Sequence, residues 1–130
     1  MRRGKRLAGA VVATCALGAG LGTTAQAGPP PAINVVPPAV TGAPVQGQSL
    51  GYFRGVWTLG GDNVYTPQWL RCNATGGACV NTGVTSETYL LGAADALHTI
   101  RVIVTATTDS GWGTSTSATS QPTAPVVPLP

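Results

Sequence analysis

Beyond residue 31, apolar and polar positions alternate in short runs, and no apolar run repeats at helical spacing. Segments rich in Val, Thr, Tyr, Trp and Ile are separated by Gly, Asn, Asp and Pro. That pattern predicts many short strands joined by turns. The predicted strands are Ala39–Thr41, Ser49–Arg54, Tyr65–Cys72, Cys79–Asn81, Glu87–Leu91, His98–Thr107 and Thr114–Thr119. The clearest alternation lies in His98–Thr107, where Ile100, Val102, Val104 and Ala106 share one face and Arg101 and Thr105 the other. Ile103 is apolar on that second face and needs either cover from a neighbouring strand end or a contact. About seven strands at this spacing predict an all-β, two-sheet antiparallel sandwich. Its core is expected to hold Val40, Leu50, Trp57, Trp69, Tyr89, Leu91, Ile100, Val102 and Val104.

The first 27 residues carry a different pattern. Arg2, Arg3, Lys5 and Arg6 precede an apolar run from Leu7 to Leu21, followed by small residues at Ala25 and Ala27. This describes a secretory signal peptide with cleavage after Ala27. The run is ~15 residues, shorter than the ~20 of a membrane-spanning helix. The Arg2-Arg3 pair is followed by Gly4, Lys5 and Arg6, which favours general secretion over a twin-arginine route. Val12-Ala13-Thr14-Cys15 is a weak lipoprotein box, because Thr14 fits poorly beside the cysteine and the apolar run continues past it.

Charge changes meaning once this segment is set aside. The chain has 7 Lys+Arg against 4 Asp+Glu, a formal charge of +3, with 8% charged residues. Four of the seven basic residues precede residue 28, leaving Arg54, Arg71 and Arg101 against Asp62, Glu87, Asp95 and Asp109. The processed chain is therefore slightly acidic and lacks lysine. It offers no basic patch for nucleic acid. It also has no lysine for a Schiff base, for phosphate binding or for a Lys–Asn crosslink.

Cysteine arithmetic is equally simple. Cys15 lies in the predicted signal, leaving Cys72 and Cys79, an even number in an exported chain. That favours one disulfide across the turn Asn73-Ala74-Thr75-Gly76-Gly77-Ala78. The rivals are a redox pair or a metal site. The spacing is not C-x-x-C, and the single His98 is too little for zinc.

From Pro37 to about Ser120 the chain resembles the bacterial Ig-like repeats of secreted and cell-surface proteins. The resemblance is carried by an ordered set of motifs: Val45-Gln46-Gly47-Gln48-Ser49-Leu50, Gly55-Val56-Trp57, Gln68-Trp69-Leu70-Arg71-Cys72 and a closing Cys79. Thr88-Tyr89-Leu90-Leu91, Ala93-Ala94-Asp95 and His98-Thr99-Ile100-Arg101-Val102 follow. It implies an Ig-like β-sandwich with the Cys72–Cys79 bond inside a hairpin, and it carries over no catalytic residue. Three features depart from the pattern. Pro67 lies within a strand and points to an edge or bulge. Leu97 stands where such repeats usually have Gly, and Tyr52 and Phe53 are bulkier than usual.

Candidate chemistry is sparse. His98 follows Asp95 by three residues at a strand start, which suits a hydrogen bond holding that turn better than Ser/His/Asp catalysis. Asp62 and Asp109 lie in turn sequences, so a pair of carboxylates across a cleft is not evident. Asp62 and Asn63 lack the further oxygen ligands that calcium needs. Trp112, between glycines in Ser110-Gly111-Trp112-Gly113, is the best candidate binding residue, against a packing role over the end of the core. The three arginines are expected to be solvated strand positions. Asn73-Ala74-Thr75 fits a glycosylation sequon but overlaps the cysteine turn.

The expected organisation is a signal peptide (1–27), a proline-rich lead-in (28–36), an Ig-like β-sandwich (37–120) and a proline-rich tail (121–130) read as a linker or loose end. The expected role is a secreted or cell-surface, non-catalytic binding or adhesion module. Its expected partner is a protein or cell-surface glycan, with no cofactor, no metal, no nucleic acid and no membrane span after cleavage. The alternatives are a structural cell-envelope accessory without a specific ligand and a small secreted hydrolase.

Overall fold

A computed structural model of the chain describes residues 30–108 and 114–130. The expected signal peptide, Asp109 and the candidate binding residue Trp112 lie outside the described residues. Among the described residues the strands are β1 (Ile33–Val36), β2 (Ala39–Thr41), β3 (Ser49–Phe53), β4 (Val56–Thr58) and β5 (Asn63–Cys72). They continue with β6 (Val80–Asn81), β7 (Tyr89–Leu90), β8 (Thr99–Thr108) and β9 (Ser115–Thr119). One 3-10 turn, Ala93–Asp95, links β7 to β8.

The protein is all-β and antiparallel, as the alternation predicts. A four-stranded sheet has the order β9-β8-β5-β6, a three-stranded sheet the order β2-β3-β7, and β1 pairs with β4. The long β5–β8 ladder runs from Asn63↔Thr108 to Cys72↔Thr99 and forms the spine of the larger sheet. Inner-face residues of both sheets meet in one core of Leu50, Trp69, Tyr89, Leu91, Ile100, Val102, Val104 and Val126. At its centre Trp69 stacks on Tyr89 (5.6 Å between centroids) and meets Tyr52 edge-on (6.1 Å). Trp69 Nε1 donates to the Ser86 carbonyl at 2.8 Å, so its one polar atom is satisfied inside an apolar layer.

All seven predicted strands are present, most with ends shifted by one or two residues. Two strands, β1 and β4, were not predicted. β1 lies in the expected lead-in, and its residues are mostly exposed on both faces, so burial imprints no alternation on it. Its pairing with β4 also changes register between Asn34 and Val36, where one residue is bulged out. Of the nine expected core residues, seven are buried, whereas Val40 and Trp57 only flank the core half-buried. Trp57 is held at the rim because its Nε1 donates to the Arg54 carbonyl at 2.9 Å.

Pro67 pairs with Val104 within β5. Trp69, two residues on, points its N–H away from β8 to the Val84 carbonyl, so the Pro67 nitrogen faces the same side by alternation. β6 pairs only with Leu70 and Arg71, which leaves that side open beside Pro67. The missing amide donor therefore costs no ladder bond.

The segment 121–130 is not a loose end. Val126 is fully buried in the core and forms a parallel bridge with Ala96, and Val127 bridges Val45. Val126 N–H donates to the His98 carbonyl, Leu97 N–H to the Val126 carbonyl and Gln46 N–H to the Val127 carbonyl, each at 2.8 Å. A few apolar residues among four prolines show no period that would betray a buried one, yet Val126 joins the core. Upstream, Pro122 lies against the cysteine hairpin so closely that a Cβ on Gly76 would come within 2.8 Å of its ring.

Candidate functional site

The titratable groups form two clusters with different character. The first is buried. Asp95 is 2% exposed and accepts from Arg71 Nε at 2.7 Å, from Tyr89 Oη at 2.7 Å and from the Gly92 N–H at 2.8 Å. Burial pushes the Asp95 carboxyl up, but the Gly92, Arg71 and Tyr89 hydrogen bonds outweigh it and leave the group below the ordinary carboxylate value. Burial and the bond to Asp95 push the Tyr89 hydroxyl up. The cluster ties the β7–β8 turn to β5, and both Asp95 carboxylate oxygens and the Tyr89 hydroxyl have protein partners. Arg71, expected to be solvated, is instead the counter-ion of a buried acid.

His98 lies on the far side of the same turn. Its Nδ1 is 3.0 Å from the Cys72 carbonyl, and a carbonyl only accepts, so Nδ1 carries the proton. The backbone N–H of His98 donates to the Asp95 carbonyl at 2.9 Å. His98 thus holds the turn into β8, as expected, through its backbone N–H to the Asp95 carbonyl and its ring to the Cys72 carbonyl. Cys72 and Cys79 are joined by a disulfide. The Asn73 Oδ1 inside that loop accepts from Thr75 N–H, Gly77 N–H and Thr75 Oγ1 at 2.8–2.9 Å, so this side chain organises the turn. Among the described residues no three His, Cys, Asp or Glu side chains gather to hold a metal.

The second cluster is open to solvent. A cleft of about 600 Å³ lies at one rim of the sandwich, lined by Thr41, Gly51, Tyr52, Phe53, Arg54, Tyr65, Glu87 and Thr88. Four segments build it: the end of β2, the end of β3, the start of β5 and the stretch just before β7. Tyr65 is on the inner row of β5 with Pro67 and Trp69, but it lies past the edge of the facing sheet and stays half-buried. Its ring packs against Trp57 at 6.0 Å, and the Arg54 guanidinium carbon lies 4.2 Å from its centroid, a cation–π contact. Phe53 is 45% exposed. Burial and the Glu87 charge push the Tyr52 hydroxyl up, with Arg54 opposing, so both charges act on this phenol. Aromatic surface beside hydroxyls and one charge of each sign suits recognition of an amphipathic ligand.

Sequence reasoning singled out Tyr52 and Phe53 only as unusually bulky, and placed Arg54 and Glu87 as strand positions. The run Tyr52-Phe53-Arg54 at a strand end was the available signal, two aromatic rings followed by a cation. The fold and the cleft together define an all-β antiparallel sandwich with an aromatic-lined rim. The chain matches no protein-family model, no curated protein and no solved structure.

Proposed function

We propose that this protein is a secreted or cell-surface, non-catalytic binding module of the bacterial Ig-like type, with the Tyr52–Phe53–Arg54–Tyr65–Glu87 cleft as its recognition site. The observation that carries the proposal is the contrast between the two clusters. The Arg71–Asp95–Tyr89 group is spent on holding a turn, whereas the cleft leaves aromatic faces, a guanidinium and a carboxylate open to solvent. Basic, small-residue and apolar patterning in residues 1–27 supports export. A surface protein or a glycan fits the cleft's chemistry.

The test is to screen the full chain, expressed with its natural processing, against peptide and glycan arrays and to map any hit by amide chemical shifts. The expected hit perturbs Tyr52–Arg54 and Tyr65. Phe53→Ala and Glu87→Gln should each weaken it at least several-fold while leaving the melting temperature unchanged. Loss through Trp112→Ala with no effect of either cleft variant would move the site to the 109–113 segment. A hit that survives all three variants would overturn the cleft as the recognition site.

A further inference from the structure

We infer that the cleft takes an extended polypeptide segment, which adds as a strand to the open edge of β3. This rests on the binding-module reading and names its ligand class. β3 is paired with β2 over Gly51–Phe53, from Thr41↔Gly51 to Ala39↔Phe53. On its other side the ladder with β7 ends at Leu50↔Tyr89. The phase of that ladder is set by the Leu91 N–H bond to the Gln48 carbonyl at 2.9 Å, so even-numbered residues of β3 turn their backbone groups toward β7. Tyr52 is the next such residue. Opposite it the chain at Glu87 and Thr88 has left the sheet, and the cleft occupies the gap. Among the described residues, the Tyr52 N–H and C=O have no ladder partner on this side.

An incoming strand placed opposite Tyr52 exchanges two main-chain hydrogen bonds with it, the recognition mode of strand addition. Side-chain direction then follows from cross-strand pairing. The residue opposite Tyr52 points inward, onto the half-buried ring of Tyr65. Its neighbour opposite Gly51 points outward, over a socket that exists because Gly51 has no side chain. A Cβ there would lie 3.0 Å from Thr41 Oγ1. Phe53 flanks the outward side. Beyond it the edge closes, because the Arg54 carbonyl already accepts from Trp57 Nε1. Among the described residues the one ion pair is Arg71–Asp95, so Arg54 and Glu87 both face the groove without a charged partner. They set a polarity: an acidic peptide side chain toward Arg54 and a basic one toward Glu87.

The experiment pans a library of random octapeptides against the full chain and studies the selected peptide by amide hydrogen exchange. Exchange at the Tyr52 amide should slow at least tenfold in the complex. N-methylation of the peptide residue that pairs with Tyr52 should weaken binding about tenfold or more, as expected for loss of a buried hydrogen bond. N-methylation of the adjacent residue, whose N–H points away, should leave affinity unchanged. A peptide that shifts cleft resonances without protecting the Tyr52 amide would overturn strand addition while keeping the cleft as a site. A glycan that binds the cleft when no peptide does would have the same meaning. Failure of every peptide and glycan at the cleft would overturn both proposals.

Discussion

Arg71 and Asp95, 24 residues apart in sequence, are joined by a 2.7 Å bond that fixes the β7–β8 turn against β5. The Asp95 side chain is almost wholly enclosed, and the Arg71 side chain is 27% exposed. Removing one member of such a pair strands the other without compensation. Asp95→Ala also leaves the Tyr89 hydroxyl without its acceptor and is expected to cost about 3 kcal/mol in urea unfolding. A loss under 1 kcal/mol, of the order seen for exposed pairs, would show that the cluster does not hold the turn.

The same carboxylate sets an acid limit. Its value is lowered in the fold, so it adds stability above its unfolded value, about 4, and loses it as pH falls through the folded value. The urea midpoint should therefore decline below about pH 4, and Asp95→Asn should flatten that decline. Tyr89 works in the opposite sense. Its value is raised, so its contribution is complete below about pH 10 and is lost above it. Tyr89→Phe should flatten the alkaline limb.

Leu97 adopts φ 69°, in the left-handed region, and is 66% exposed. Its side chain therefore gains little from packing while its backbone carries a steric cost of roughly 1–2 kcal/mol. Leu97→Gly relieves that cost but adds freedom to the unfolded chain. The net expectation is a gain of about 0.5–1 kcal/mol in unfolding free energy. Leu97→Ala, which keeps the Cβ, should gain nothing.

Val126 places the C-terminal segment inside the domain. Val126→Ala removes two buried methyl groups and should cost about 2 kcal/mol. Truncation after Ser120 removes the whole docked segment and should lower thermal stability far more than this point change. Equal melting temperatures for truncated and full chains would contradict the docking seen here.

The Cys72–Cys79 bond closes a short loop whose turn is already organised by Asn73. Chain entropy assigns it about 2–3 kcal/mol. Mass spectrometry should find two hydrogens gained on reduction, with a matching fall in the urea midpoint. Two free thiols in the chain expressed with its natural processing would contradict the pairing.

The positions of seven of the nine described strands and the faces of β8 were legible in the sequence, because a half-buried strand imprints its alternation directly on the residues. Ile100, Val102 and Val104 show this along β8, and the Cys72–Cys79 pair followed from cysteine count and the expected compartment. Tertiary structure alone decided three other matters. β1 formed because β4 was there to pair with it, not because Ile33–Val36 has a buried face. Val126 became core because a hole in the sandwich matched one valine in a proline-rich stretch. Arg71 became the partner of Asp95, and Tyr52 was left with an open edge, because β7 ends two residues before it could cover that strand. Such outcomes depend on which distant segments arrive at the same place, and a local pattern holds no record of them.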